Sequence, residues 1–489
     1  MSSGIASFLA GIRLIFNTPP SRLLLKALSK GVEYNDKKST LLTEAINCMI
    51  GYNCSCLSAR FYAGLLRIIL SIIVKMLGGD LNKSLESLRD PAVRRGLNLV
   101  ISGLGIYGLT VPQKFPAPFL IVWNFTNVCN LRCQHCYQNA GAKLENELTF
   151  NEKLKVLDML DHAGVAAIAF SGGEPTIHED FIKILTETSS RGIYTALATN
   201  GWRLADPSYT RKLKRAGLRY VEISIDSTDP YKHDKFRGVK GSWYRAVKGV
   251  KNAVREGISV GIATTITRFN IDEIDEMICF AEELGANRMV FFNFIPVGRG
   301  IRMIDYDIEP EERERLLAKL YFENTRRDIE IYSTAPQFAR VSCILSSGRD
   351  VAATHFYVKG DPVISSLAEY IGGCGAGRIY AAIQPDGSVT PCVFIPDIVV
   401  GNLRDTHFVR IWNNSRVFKV LRDRNNLKGN CRECPYRYIC GGCRARALAY
   451  TGDITGPDPG CIRNRDLWIK LKDKDIKNAQ VIKSIHSVV

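Results

Sequence analysis

Three cysteines, Cys129, Cys133 and Cys136, fall within the stretch FTNVCNLRCQHCYQN, separated by three and then two residues. A cubane [4Fe–4S] cluster has four iron corners. Four cysteines close it as an electron carrier, whereas three leave one iron open to a ligand from outside the chain. A single tight loop that wraps three corners also fixes which corner stays bare. Zinc is the alternative, but structural zinc normally takes four ligands in two separated pairs. His135 could supply a fourth ligand, yet it immediately precedes Cys136 and is badly placed to reach the same ion.

Seven further cysteines lie downstream: Cys374, Cys392, Cys431, Cys434, Cys440, Cys443 and Cys461. Cys431, Cys434, Cys440 and Cys443 form two C-x-x-C pairs with only five residues between them. Zinc ribbons usually separate such pairs by about 15–20 residues. Cys48, Cys54, Cys56 and Cys279 are expected to be structural thiols, because free cysteine is often simply buried.

These cysteines need elements to carry them. From about Phe119 the chain alternates apolar strand-like runs (FLIVWNF, VAAIAFSG, IYTALATNG, RYVEISID, ISVGIATTIT, NRMVFFNFIP) with helical stretches, several ending at a glycine stop. Six β-then-α repeats predict an α/β fold with a parallel sheet curved into a partial (β/α)6 TIM-like barrel. In such barrels chemistry sits at the C-terminal ends of the strands. The cysteine triplet falls directly after the first strand. Around residue 331 the rhythm breaks, and RIYAAIQPDGSVTPCVF reads as two strands joined by a Pro-Asp-Gly turn. The expected organisation is a basic amphipathic helical extension over 1–115, the barrel over 116–330, a small cysteine-rich α+β domain over 331–470 and a basic tail over 471–489.

The triplet and its surroundings resemble the radical S-adenosylmethionine (SAM) enzymes, whose signature is three cysteines at this spacing with an aromatic residue before the third, the place His135 occupies. The resemblance implies an enzyme whose open iron binds the amino and carboxylate groups of SAM and splits its sulfonium bond to a 5′-deoxyadenosyl radical. The radical then takes a hydrogen atom from the substrate. SGGEP, with Gly172, Gly173 and Glu174, matches the family's motif for the SAM amino group. Ser224 in EISIDS and Arg237 in HDKFRG match residues that hold the SAM carboxylate in relatives with peptide substrates; a surface ion pair is the bland reading of Arg237. ATNG, with Asn200, and FIPVGRG resemble nucleoside-pocket segments.

The downstream cysteines resemble the SPASM extension, which carries one or two auxiliary [4Fe–4S] clusters. By that resemblance Cys431, Cys434, Cys440 and Cys461 close one cluster, and Cys374, Cys392 and Cys443 hold the other, with an open iron or with Cys343 borrowed. A zinc or single-cluster version is the alternative. CPYRYICGGCRARALAYTGDITGPDPGC is most similar to SPASM proteins of the alternative haem and haem d1 pathways. Peptide maturases share the architecture more loosely. An auxiliary cluster can accept an electron from a substrate radical, so the expectation is a net oxidative reaction on a tetrapyrrole or a hydrophobic, membrane-associated lipid. The implied electron donor is of ferredoxin or flavodoxin type.

The 489 residues carry 65 Lys and Arg against 49 Asp and Glu, a net charge of +16, which favours an anionic neighbour. Residues 1–115 hold 14 Lys and Arg against 6 Asp and Glu and so contribute +8 of it. Arg67, Ser71 and Lys75 recur every fourth residue on an apolar helix and form a polar stripe. The uncharged run between Arg67 and Lys75 is far short of the ~20 residues a bilayer span needs. An interfacial helix and a helix packed on its own protein are the two readings. Fifteen cysteines without a recognisable export signal point to a cytoplasmic, reducing and anaerobic setting, with a peripheral place at the inner membrane face as the extension of that reading. No RNA-binding module or aromatic-interleaved basic patch is present, which weighs against nucleic acid and an RNA-modifying role. The rival from another class is a pure electron-transfer iron–sulfur protein.

Overall fold

The computed structural model describes residues 16–34, 37–54, 56–76, 80–353, 356–358 and 367–473. The apolar stretch at 6–15 and the tail beyond 473 lie outside the described residues.

Six parallel strands follow the alternating apolar runs: β1 (Leu120–Asn124), β2 (Ala167–Ser171), β3 (Tyr194–Thr199), β4 (Tyr220–Ser224), β5 (Ser259–Ile266) and β6 (Arg288–Asn293). The rhythm continues for one more unit, because the helix Pro310–Arg326 carries the chain back to a further parallel strand, β7 (Glu330–Ser333). The predicted hairpin is also present. β8 (Tyr380–Ile383) pairs antiparallel with β9 (Ser388–Thr390), and β9 with β10 (Gly401–Asn402). β8 also pairs in parallel with β1, so the cysteine-rich part extends the barrel sheet, whose order is β10-β9-β8-β1-β2-β3-β4-β5-β6-β7.

Successive side chains alternate between the two faces of the sheet. Ile121, Trp123, Ile168, Phe170, Leu197, Val221, Ile223, Val260 and Ile262 point outward into the core beneath the helices. The opposite face carries Ala167, Ala169, Ala196, Ala198 and Ala263, which line a cavity of about 450 Å³. Small residues in the lumen replace the bulky layers that fill an ordinary TIM barrel. The sequence pattern therefore builds a hollow barrel.

The N-terminal extension consists of α1 (Pro19–Leu28), α2 (Leu41–Met49), α3 (Leu57–Met76), α4 (Leu81–Ser87) and α5 (Pro91–Tyr107), with a two-stranded ribbon, Gly31–Tyr34 and Lys37–Thr40. α5 lies across the bottom of the barrel. Arg95 donates to the Val165 carbonyl at 2.7 Å and pairs with Asp161 at 2.7 Å, and Arg219 pairs with Asp90 at 2.5 Å. Val165 lies two residues before β2, and Arg219 immediately precedes β4. α3 stands further out. Ala59, Ala63 and Val74 are buried, whereas Leu57, Phe61, Ile68 and Ile72 are exposed. Among the described residues no helix is long and apolar enough to cross a membrane. Two of the expected structural thiols, Cys48 and Cys54, form a disulfide across the turn that ends α2. Cys56 and Cys279 are exposed rather than buried.

Candidate active site and cluster sites

The cysteine loop leaves the top of β1 and meets three other strand ends. Gly173 N–H donates to the Thr126 carbonyl and Glu174 N–H to the Val128 carbonyl, both at 2.7 Å. A Cβ on Gly173 would lie 2.1 Å from the Val128 oxygen. The glycine pair is therefore needed to let the turn after β2 touch the cysteine loop, which explains the residue type more directly than ligand approach does. From the other side, Arg132 N–H and Gln134 N–H donate to the Arg237 and Phe236 carbonyls at the end of the helix Pro230–Arg237, at 3.1 and 3.0 Å. The segment after β6 closes over the top. Arg299 donates from its backbone to the Cys136 carbonyl at 2.9 Å, and from its side chain to the carbonyls of Cys133 and Ala140 at 2.8 and 2.7 Å.

Cys129, Cys133, Cys136, His135, Gly172, Gly173, Glu174, Asn200, Ser224 and Arg237 all line the barrel cavity. His135 is half-buried and stacks on Phe236 with ring centroids 4.2 Å apart, and Phe236 stacks on Phe269. Burial pushes the His135 imidazole down to about 3, so it sits in the stack as a neutral ring. Glu174 is buried, and burial raises its carboxyl. Its oxygens already accept from Thr176 N–H and O–H, Thr199 O–H and Asn200 N–H at 2.5–3.1 Å. The side chain thus clamps the turn after β2 to the end of β3. The Asn200 amide donates to Asn130 in the cysteine loop at 2.8 Å.

Arg237 is not a surface residue. Its Nε donates to Asp226 Oδ2 at 2.6 Å, both side chains are buried, and Nη1 lies 3.9 Å from Cys133 Sγ. Burial alone would raise the Asp226 carboxyl, but the charge and hydrogen bond of Arg237 hold it below its ordinary value. Asp226 was not singled out from the sequence. The signal was present, since it stands two residues after Ser224 in the same strand-end segment.

The second cysteine group divides in two. Cys374, Cys392 and Cys443 line the same large cavity as the triplet, reached past Tyr137, Phe394 and Tyr380. Cys431, Cys434, Cys440 and Cys461 surround a separate recess with Arg340, Tyr436 and Asn464. The two recesses group these cysteines in the same way as the sets that the SPASM resemblance implies. Cys343 packs against Ala339, Val351, Ala368 and Ile439 instead. The two sets are joined by the Cys374 N–H to Cys440 carbonyl bond, 3.1 Å, and by Asp458, which accepts from Cys443 N–H at 2.7 Å. Among the described residues no three His, Cys, Asp or Glu side chains converge as the ligands of a single ion would.

The surroundings fit anionic clusters. Arg378, Arg424 and Arg444 are all buried, and among the described residues their hydrogen bonds go to backbone carbonyls or cysteine sulfur, not to carboxylates. Among the described residues Arg378 Nη1 and Arg424 Nε have no hydrogen-bond partner. A buried cation without a counter-charge is costly. Clusters held by thiolates at these positions would supply the missing negative charge.

A hollow parallel barrel with an open three-cysteine loop at its top, and two further cysteine sets beside it, defines an iron–sulfur enzyme of the SAM-cleaving class. The comparisons agree. Residues 123–281 match the model of the radical SAM superfamily, and residues 374–435 match the SPASM iron–sulfur cluster-binding domain. The AdoMet-dependent heme synthase of Methanosarcina barkeri is 34% identical over 71% of this chain and 97% of its own length. The mycofactocin maturase MftC of Mycolicibacterium smegmatis is 31% identical over 71% of this chain and 83% of its own. The crystal structure of Streptococcus suis SuiB bound to its precursor peptide SuiA shares the fold, with a TM-score of 0.62 and 18% identity over 88% of this chain and 94% of that one. The chain belongs to the radical SAM superfamily, in its SPASM-bearing branch. It is an enzyme whose cofactors are a SAM-binding [4Fe–4S] cluster, SAM and auxiliary iron–sulfur clusters.

Proposed function

We propose that this enzyme carries out a net oxidative modification of a hydrophobic substrate held in the barrel lumen, with a tetrapyrrole or a membrane-associated lipid as the substrate class. The observation that carries the reading is that the cysteine triplet and the set Cys374, Cys392 and Cys443 line one cavity with apolar walls. A substrate there lies between a site that removes a hydrogen atom and a site that can accept an electron. When bound, the cluster and SAM supply the 5′-deoxyadenosyl radical.

The chain's own residues take the following roles in this reading. Cys129, Cys133 and Cys136 hold three irons. The Gly172–Glu174 turn meets the SAM amino group, with Glu174 as the clamp that fixes the turn. Ser224 and Arg237 meet the carboxylate, Arg237 being oriented by Asp226. His135, Asn200 and the Phe294–Gly300 segment border the nucleoside. Cys431, Cys434, Cys440 and Cys461 hold a cluster further from the lumen, on the path to an electron carrier of ferredoxin or flavodoxin type. The heme synthase similarity supports the tetrapyrrole class.

The extension supports a peripheral membrane location. The exposed stripe Leu57, Phe61, Ile68 and Ile72 runs along one face of α3, flanked by exposed Arg60 and Arg67 and ended by Lys75. Apolar side chains beside basic ones suit an anionic lipid surface. A peptide substrate is the second reading, supported by the similarity to the mycofactocin maturase. The deciding experiment is anaerobic reconstitution of the full chain with SAM and a strong reductant, supplied in turn with an iron-coproporphyrin, a polar lipid extract and a peptide extract. Substrate-dependent deoxyadenosine with a mass loss in the porphyrin or lipid supports the proposal. Turnover with the peptide fraction alone overturns it.

A further inference from the structure

Charges around the two cavity-facing cysteine sets differ in a way that orders them electrically. At the triplet the buried cation, Arg237, is neutralised by Asp226 at 2.6 Å. Arg299 is only half-buried, so solvent screens it. At Cys374 the situation is reversed. Arg424 Nη2 and Arg378 Nε donate to the Cys374 carbonyl at 2.8 and 3.3 Å, and each guanidinium is 2% exposed. Among the described residues neither has a carboxylate partner. Asp458, which accepts from Cys443 N–H, lies 3.5 Å from Arg446 Nε, and Asp307 is shared by Arg446 and Arg313.

Space has been left for these cations. A Cβ on Gly441 would lie 2.5 Å from Arg424 Cζ, and one on Gly372 would lie 2.4 Å from Arg378 Nη2. Both glycines have left-handed backbones, φ 68° and 71°, that other residues rarely adopt. A third device points the same way. The Tyr380 hydroxyl donates to Cys392 Sγ at 2.7 Å from within the cavity wall.

Positive charge and hydrogen bonds to sulfur favour the reduced, more negative state of an iron–sulfur cluster. We infer that Arg378, Arg424 and Tyr380 are positioning residues that raise the reduction potential of the cluster held by Cys374, Cys392 and Cys443 above that of the cluster at Cys129, Cys133 and Cys136. Electrons at the lumen then leave from the triplet side and are collected on the Cys374 side. Arg424 also faces Cys440 and Cys431, so it acts on both auxiliary sites, whereas Arg378 acts on the nearer one.

The inference rests on the reading of these three cysteines as cluster ligands, and the test separates the two. Full-length protein is reconstituted anaerobically, its iron counted, and each cluster's midpoint followed by EPR-monitored titration without substrate. Arg378→Met, Arg424→Met and Tyr380→Phe should each shift the auxiliary midpoint to lower potential, and Arg378→Lys should restore most of the loss, with the triplet signal unmoved. Auxiliary midpoints that stay in place or rise at full iron content overturn the proposal. If the methionine variants lose iron, Tyr380→Phe, which removes one oxygen, decides it in the same way. Unchanged iron content and EPR signals in Cys374→Ala would instead overturn the ligand reading itself.

Discussion

Asp226 Oδ2 and Arg237 Nε form a buried ion pair of 2.6 Å that joins the end of β4 to the last residue of the helix Pro230–Arg237, and the cysteine loop hangs from that helix end. Removing one partner leaves the other as an uncompensated buried charge. Arg237→Ala should therefore destabilise the protein by about 3–5 kcal/mol, and the Arg237→Ala/Asp226→Ala double variant by less than the sum of the two single variants. Thermal unfolding of the four proteins checks this. Additive losses would mean that the pair is not coupled. Because Asp226 is held below its unfolded value of 3.8, its contribution is present above that pH and disappears on further acidification.

The Gly172–Gly173 turn makes a different prediction. Gly173→Ala brings a methyl group within 2.1 Å of the Val128 oxygen, so the cysteine loop must move. The expected result is a barrel that keeps its circular dichroism but binds less iron after reconstitution, with the auxiliary clusters retained. A variant with full iron and unchanged SAM affinity would show that the loop tolerates the shift.

Glu222 lies on the lumen face of β4, two residues before Ser224, and accepts from the Tyr220 hydroxyl at 3.1 Å. Burial pushes its carboxyl up to about 7 from 4.5. The folded state therefore holds this proton more tightly than the unfolded chain does. The resulting stability is fully present below pH 4.5 and is lost as the pH rises through about 7. Glu222→Gln should be more stable than the parent at pH 8, by up to about 3 kcal/mol, and nearly equal to it at pH 5. Melting curves at the two pH values measure the difference, and a gap of the same size at both would contradict the assignment.

The exposed stripe of α3 can be tested on vesicles. Ile68 and Ile72 are 60% and 55% exposed. Placing such a side chain in an apolar phase is worth about 1.5–3 kcal/mol. Ile68→Asp with Ile72→Asp in the full chain should lower binding to anionic vesicles more than tenfold, and binding by the parent should weaken with salt. Unchanged vesicle binding, or a changed oligomeric state in its place, would remove the membrane reading.

Much of this arrangement was legible in the residues. The strand runs and glycine stops located six barrel strands, whereas the division of the downstream cysteines into two sets came from the SPASM resemblance, since spacing alone pairs Cys440 with Cys443. Other features left no local trace. β7 is only four residues long and follows a polar helix, so nothing in its composition sets it apart. The parallel pairing of β8 with β1 joins residues about 260 apart, and pairing partners at that range leave no mark on either strand's pattern. Glu174 is read from the sequence through its match to the motif for the SAM amino group, and nothing in that motif announces that its carboxylate also accepts from Thr199 and Asn200 one strand away. Cys48 and Cys54 were grouped with thiols because spacing alone does not reveal a turn that brings them together. Buried arginines were invisible for a related reason, since a sequence does not distinguish a solvated arginine from one enclosed beside a cluster.

The central claim is that Cys129, Cys133 and Cys136 hold a cluster with one iron free for SAM. The most direct measurement is deoxyadenosine released by anaerobically reconstituted, dithionite-reduced protein, compared with the same protein carrying Cys129→Ala, Cys133→Ala or Cys136→Ala. The account predicts release by the parent and none by the three variants, each of which keeps its auxiliary iron. Release that persists in the variants, or none from iron-replete parent protein, would contradict it.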